Sequence, residues 1–75
     1  MKINIIAFGQ IAEITGKHFS LAATDTDVLK QQLEAMFPGL AGKKYAIAVN
    51  KQLVAGPYEF NENDEVALMP PYSGG

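Results

Sequence analysis

Alternating hydrophobic and polar residues predict β-strands at both ends of the chain. Lys2–Phe8 alternates in its first half and then becomes apolar on both faces, and Glu65–Met69 is similarly apolar. Strands of this kind usually lie inside a sheet. We therefore expect these two strands side by side at the centre of the sheet, parallel to each other. Lys17–Leu21 alternates again and is expected to pair antiparallel with Lys2–Phe8.

The middle of the chain changes to the period of a helix. Apolar residues recur about every 3.6 positions after Asp25, which is the pattern of one buried helical stripe. Thr24 or Asp25 can accept backbone N–H groups as the N-cap, and Asp27 lies where the helix dipole favours negative charge. Pro38-Gly39 is expected to end the helix. The predicted stripe consists of Val28, Leu29, Leu33, Met36 and Phe37.

Shorter segments complete the predicted set of elements. Gln10–Thr15 suits a short helix or a tight loop before the second strand. Two further strands are expected at about Tyr45–Val49 and Leu53–Val54, joined by a turn at Asn50–Gln52. In the polar turn before the final strand, Asn63 is the residue for which we expect a positive φ.

The order of these elements leads to one architecture. One main helix packed on one face of a mixed sheet can close a single core. We therefore predict an α+β fold of the β-grasp (ubiquitin-like) type. The length of 75 residues agrees with one domain. That domain is predicted to span residues 1–75, with residues 70–75 as an extended C-terminal functional tail.

Composition and charge exclude several classes of function. The chain has no cysteine, which removes disulfides, thiolate zinc sites and thiol nucleophiles. The formal net charge is -2 and the basic residues form no cluster beyond Lys43-Lys44, so binding to nucleic acid is not expected. The start lacks a signal-peptide core, and no apolar run approaches the ~20 residues that span a bilayer. We expect a cytoplasmic protein without membrane contact.

Polar residues within the predicted domain indicate structural roles. His18 is the only histidine, and we interpret it as a strand-surface residue because a metal site needs several converging ligands. No metal site and no cofactor bound by this chain are expected. Asp25 and Asp27 are explained by the helix start. The acidic cluster near the last turn is interpreted as a solvated edge, with a partner-docking patch as the alternative. It consists of Glu59, Glu62, Asp64 and Glu65.

The C-terminal segment is the strongest candidate for function. After the last strand the chain continues as Pro70-Pro71-Tyr72-Ser73-Gly74-Gly75. The proline pair favours an extended exit, and this segment can reach at most about 20 Å at ~3.3–3.6 Å per residue. The two glycines form a tip without side chains, which suits a narrow channel.

The reactive group of this tail is the terminal carboxylate of Gly75. A carboxylate repels nucleophiles and must be activated, for example as an acyl-adenylate, before a sulfur or amine nucleophile can attack it. Because the chain has no cysteine, any sulfur that it carries covalently for transfer would sit at the carboxyl end as a thiocarboxylate.

The tail and the segments that lead to it resemble the MoaD/ThiS sulfur-carrier family. The resemblance is densest at Asp64–Ala67 and Pro70–Gly75, and weaker at Phe8–Gly16 and Ala48–Asn50. The order of predicted elements agrees with the family over the whole chain. Within the family, the sequence is most similar to the small subunits of molybdopterin synthases.

This resemblance implies a sulfur-transfer function carried out with partners. Gly75 corresponds to the residue that an activating enzyme adenylates with ATP and that a sulfur donor system converts to a thiocarboxylate. The sulfur then passes to cyclic pyranopterin monophosphate in molybdenum cofactor biosynthesis. A large catalytic subunit performs that step, usually in a heterotetramer of two small and two large subunits. The small subunit is not an enzyme on its own.

The resemblance also implies which residues meet the large subunit. Tyr72, Ser73 and Gly74 are expected to enter that subunit together with Gly75. The residues expected at the docking surface are Phe8, Met69, Pro70 and Pro71. Two positions depart from the family: Asn63 stands where a glycine is common, and Tyr72 stands where a small β-branched residue is usual.

Other functions are compatible with this fold and tip. A sulfur carrier of thiamin synthesis has the same fold and glycine end, although the Phe8–Gly16 segment and Pro70-Pro71 favour the molybdopterin assignment. A ubiquitin-like modifier would be attached through Gly75 to lysines of target proteins. A non-covalent interaction domain with an inert tail is the remaining alternative.

Overall fold

The computed structural model describes residues 2–70. Within this range the strands are β1 (Lys2–Ala7), β2 (His18–Ala22), β3 (Ala46–Val49), β4 (Gln52–Leu53) and β5 (Glu65–Met69). The helices are α1 (Gly9–Thr15) and α2 (Thr26–Met36), and Pro38–Leu40 forms a 3-10 turn. β5 has the predicted bounds, β2 lies one residue later than predicted, and β4 lies one residue earlier.

The strands form one mixed sheet with β5 at its centre. The strand order is β2-β1-β5-β3-β4. β1 and β5 are parallel, and every other neighbouring pair is antiparallel. The predicted α+β arrangement, with the first and last strands as parallel neighbours, is confirmed. Because β5 is hydrogen-bonded on both sides, it gives the C-terminal segment a rigid starting point.

One face of the sheet packs against α2. Burial alternates along β5, where Val66 and Leu68 are buried and the residues next to them are more exposed. Leu29 and Leu33 of α2 are completely buried. Full burial of one such aliphatic side chain contributes roughly 1.5–3 kcal/mol, so these residues hold the helix on the sheet. The core consists of Ile3, Ile5, Ala7, Ile11, Leu21, Ala23, Leu29, Leu33, Leu40, Ile47, Val49, Phe60, Val66 and Leu68.

Helix α2 begins as predicted and ends directly before Pro38-Gly39, as predicted, but its buried stripe differs at one position. The backbone N–H of Val28 donates to Asp25 Oδ1 at 2.8 Å, which makes Asp25 the N-cap, and Asp27 lies in the first turn. The predicted place of Met36 in the buried stripe is wrong, because its side chain is 53% exposed at the helix end. Leu40 of the following 3-10 turn is completely buried instead.

The turn between β3 and β4 is tighter than predicted. Asn50 and Lys51 have φ values of 52° and 71°, so these two residues form the whole hairpin loop. Such a loop is usually indicated by asparagine followed by glycine. Because lysine stands at the second position here, the sequence does not indicate a two-residue loop. The positive φ predicted for Asn63 is confirmed at 68°.

Asp64 connects this turn to the start of β5. Asp64 Oδ2 accepts the backbone N–H of Asn61 at 2.8 Å, and Asp64 Oδ1 accepts Asn50 Nδ2 at 2.9 Å. Asn50 Oδ1 in turn accepts the backbone N–H of Glu65 at 3.0 Å. Asp64 is only 7% exposed, so its interpretation as part of a solvated acidic edge is wrong. The carboxylate is a structural acceptor that fixes the entry into the central strand.

These contacts predict how stability depends on pH. The backbone N–H of Asn61, and then the side chain of Asn50, hold the pKa of the Asp64 carboxyl below its ordinary value. A lowered pKa in the folded state stabilises the fold above the ordinary value, and this contribution is lost as the pH falls through the folded pKa. We expect Asp64→Asn to be less stable than the wild type at pH 7. Its stability should fall less steeply below about pH 4.

Urea unfolding between pH 7 and pH 2 measures both effects. The matched control is Glu62→Gln, since Glu62 lies in the same turn and is exposed; this variant should unfold like the wild type at pH 7. If Asp64→Asn follows the pH dependence of the wild type throughout, the Asp64 network does not contribute as described.

Candidate functional site

The candidate tail follows β5, the central strand of the sheet, which is hydrogen-bonded on both sides. β5 is paired with β1 from Glu65 to Leu68 and with β3 from Val66 to Met69. Pro70, the residue that follows, has no N–H to continue the hydrogen-bonded ladder. The chain therefore stops pairing at Pro70, directly beside the sheet centre. The sequence-predicted residues beyond it lie outside the described range: Pro71, Tyr72, Ser73, Gly74 and Gly75.

The sheet face turned away from α2 carries a row of mainly apolar residues. The register places Ala67 of β5 between Ile6 of β1 and Ala48 of β3. Leu53 of β4 pairs with Ala48, and His18 of β2 pairs with Ile6. Directly opposed residues share one face of a sheet. The row therefore crosses all strands from His18 to Leu53.

Phe8 and Met69 extend this surface toward the tail. Ala46 of β3 pairs with Met69. The backbone N–H of Phe8 donates to the carbonyl oxygen of Leu68 at 3.0 Å, which continues the pairing of β1 and β5 past its last strand residue. Phe8 is 46% exposed and, with Ile6, lines a groove of about 500 Å³. We call the whole surface the outer-face patch; it consists of Ile6, Phe8, Ala46, Leu53, Ala67 and Met69, and the buried Ala48 lies on the same face of the sheet.

Leu53 is the most exposed member of the outer-face patch, and sequence reasoning did not identify it as a surface residue for docking. Its side chain is 69% exposed, although it is large and apolar. The sequence indicated a short strand here, but a shift of one residue in register moves a side chain to the opposite face. The two-residue turn at Asn50-Lys51 sets that register. A clustered apolar surface of this kind is typical of an interaction site.

The structure places the described docking candidates near the tail root. Phe8 and Met69 belong to the outer-face patch, and Pro70 packs beside Gly9 at the start of α1. Their role in docking stays a prediction. His18, interpreted from sequence as a surface residue, is exposed on β2.

Within residues 2–70, no three His, Asp or Glu side chains lie close enough to hold a metal ion. In the same range, no helix is long and apolar enough to cross a membrane. What the described residues do offer is an apolar surface beside the root of a tail. Such an arrangement can hold a partner protein on the sheet while the C-terminal residues reach past the contact.

Known proteins of similar sequence share this architecture. The sulfur carrier subunit of molybdopterin synthase from Escherichia coli K12 is 31% identical over 80 residues, which cover 97% of this chain and 99% of that protein. In a complex of subunits 1 and 2 of the molybdopterin-converting factor from Helicobacter pylori 26695, one chain is 29% identical with a TM-score of 0.75 over 100% of both chains.

A third similar protein and a family match cover nearly the same span. A Haloferax volcanii protein solved in solution is 25% identical, with a TM-score of 0.76 over 100% of this chain and 87% of that chain. Residues 5–75 match the profile of the ThiS family, so the match includes the second half of β1, all of β5 and the C-terminal glycines. The chain belongs to the ThiS family, the MoaD/ThiS group of ubiquitin-like sulfur carriers.

Proposed function

We propose that this protein is the sulfur-carrying small subunit of a molybdopterin synthase. One observation carries the proposal: the similarity to the Escherichia coli sulfur carrier subunit extends over almost the full length of both chains. The outer-face patch beside the tail root agrees with a subunit that docks through its sheet and presents its C-terminus.

The proposed chemistry takes place at the carboxylate of Gly75. An activating enzyme joins this carboxylate to the AMP part of ATP and releases pyrophosphate. Hydrosulfide supplied by a donor system then attacks the carbonyl carbon, the bond from this carbon to the phosphate oxygen of AMP breaks, and the C-terminus is left as a thiocarboxylate. The thiocarboxylate donates its sulfur to cyclic pyranopterin monophosphate, and hydrolysis returns Gly75 to the carboxylate. The chain itself supplies the carrier and binds no cofactor in this scheme.

The proposed partner is the large catalytic subunit of the synthase. Support comes from the Helicobacter pylori structure, whose two components are subunits 1 and 2 of the molybdopterin-converting factor. The outer-face patch, with Phe8 and Met69 nearest the tail, forms the docking surface in this proposal, and Pro70 and Pro71 also contact the partner in it. Tyr72, Ser73 and Gly74 accompany Gly75 into the partner's active site. We propose a cytoplasmic assembly of two small and two large subunits.

A carrier of thiamin synthesis is the second candidate, since the matching family profile is that of ThiS. The two candidates differ in the protein that receives the sulfur. Purification of the tagged chain from its native host distinguishes them. A molybdopterin synthase large subunit should copurify, whereas recovery of a thiazole synthase in its place would favour the thiamin pathway.

Intact-mass spectrometry tests the carrier function directly. The purified chain is incubated with ATP, an activating enzyme and a sulfur donor, and its mass should rise by the exchange of one oxygen for sulfur. Adding a large subunit and the pterin precursor should return the mass to its starting value as molybdopterin forms. Omission of ATP is the control. A ladder of conjugates to other proteins would instead indicate a modifier, and an unchanged mass in every reaction would contradict the proposal.

A further inference from the structure

Gly9 makes an unusually close contact with the root of the tail. A Cβ atom added to Gly9 would lie 3.0 Å from Cγ and 3.6 Å from Cδ of Pro70. The first distance is shorter than ordinary carbon contacts of about 3.5–4.0 Å. The proline ring is closed on its own backbone, so its Cγ can move only by a change of ring pucker and not by rotation of a flexible side chain. A side chain at Gly9 would therefore require the Pro70 ring to shift by a few tenths of an ångström.

The backbone angle of Gly9 is not by itself the reason for this contact. Gly9 has φ +56°, but Gly16 and Gly42 also have positive φ values, +91° and +83°. A Cβ at Gly16 or Gly42 would meet no atom within 4 Å. Gly9 therefore combines a left-handed backbone with a close approach to the tail root.

The contact lies where hydrogen bonding between β1 and β5 ends. The last bond joins the Phe8 N–H to the carbonyl oxygen of Leu68. Pro70 has no N–H and cannot extend the ladder. Beyond this last hydrogen bond, the next contact that restricts the chain is the packing of the Pro70 ring against the backbone of Gly9, which has no side chain.

We propose that Gly9 is a positioning residue that sets the direction in which the C-terminal segment leaves β5. This inference rests on the function proposed above, in which the end of that segment must reach a partner's active site. A change of direction at Pro70 shifts the carboxyl end of Gly75 without altering the outer-face patch. The effect should therefore be on the transfer step and not on docking, because misplacement of a reacting group slows the reaction even where binding is kept.

Gly9→Ala tests this, with Gly16→Ala as the matched control. Both substitutions place a side chain on a left-handed backbone at an end of α1, but only the first meets Pro70. Each variant is converted to the thiocarboxylate and mixed with excess large subunit and pterin precursor in a single turnover. We expect Gly9→Ala to transfer sulfur about 10-fold or more slowly than the wild type. The dissociation constant of its complex should stay within about 3-fold, and Gly16→Ala should change neither quantity.

The outcomes separate this inference from the function on which it rests. A wild-type chain that accepts no sulfur contradicts the proposed function. If all variants accept sulfur but Gly9→Ala transfers it at the wild-type rate, only the proposed role of Gly9 is overturned. The same conclusion follows if Gly16→Ala slows transfer as much as Gly9→Ala does. A rate loss explained by weaker docking also overturns it. If Gly9→Ala does not fold, Pro70→Ala removes the same contact from the other side; transfer by that variant at the wild-type rate in the saturated complex would refute the proposal.

Discussion

Deletion of Gly75 is expected to abolish sulfur transfer while leaving the folded domain unchanged. The shortened chain still ends in a glycine carboxylate, that of Gly74, so its chemistry is the same. Its reach is shorter by about 3.5 Å. A misplacement of only 1 Å can slow a positioned reaction by about 100-fold, so we expect a loss of at least about 100-fold in molybdopterin formation. The measurement is the rate of product formation with the large subunit, together with intact mass after the loading reaction.

A chain extended by one additional glycine is the complementary variant. It ends in the same kind of carboxylate but is longer by one residue, so it separates the requirement for a correct length from the requirement for a glycine end. Both length variants should transfer poorly, and both should match the wild type in urea unfolding because the core is built from residues before the tail. If the chain without Gly75 forms molybdopterin at the wild-type rate, Gly75 is not the sulfur-carrying residue.

The sequence correctly predicted those parts of the fold in which a local pattern of residues is compatible with only one structure. β1 and β5 are apolar on both faces, a pattern typical of central strands, and the structure places both inside the sheet although α2 covers only one face. The N-cap of α2 was predictable because Asp25 acts on Val28, three residues away. The role of the tail stays a prediction, and it has a different basis: the proposed chemistry depends on the kinds of residue at the C-terminal end and not on their arrangement in space.

The features that sequence missed depend on contacts between distant segments. Asp64 looked like a member of an acidic turn, but its partner Asn50 lies 14 positions earlier. The outward face of Leu53 depends on a two-residue turn whose second member, Lys51, carries no turn signal. The outer-face patch as a whole became visible only when the register between strands was known.

The outer-face patch also explains why the tail follows a central strand. β5 contributes Ala67 and Met69 to the patch and then continues into Pro70. A partner bound to the patch is therefore held at a fixed distance from the point where the C-terminal segment leaves the sheet. In the proposed function, docking of the partner and delivery of the tail depend on one strand, whose entry is fixed by Asp64 and whose exit is set by the proposed Gly9 contact.

Replacement of Leu53 by aspartate is expected to weaken binding of the large subunit by about 30-fold or more, which corresponds to about 2 kcal/mol. Leu53 is the most exposed large apolar side chain among residues 2–70. A carboxylate at this position would lose its hydration on docking without gaining an oppositely charged or hydrogen-bonding group in return. The domain itself should stay stable, within about 0.5 kcal/mol, since the side chain lies on an edge strand and outside the core.

Met36→Asp is the matched control for Leu53→Asp. Met36 is also a large apolar residue, 53% exposed, but it lies on α2, which covers the opposite face of the sheet. Calorimetric titration of each variant with the large subunit gives the dissociation constants, and urea unfolding gives the stabilities. Binding should be weakened by Leu53→Asp and retained by Met36→Asp. Equal affinities for the two variants would place the docking surface away from the outer-face patch, whereas the predicted difference assigns it to the sheet face that surrounds the tail root.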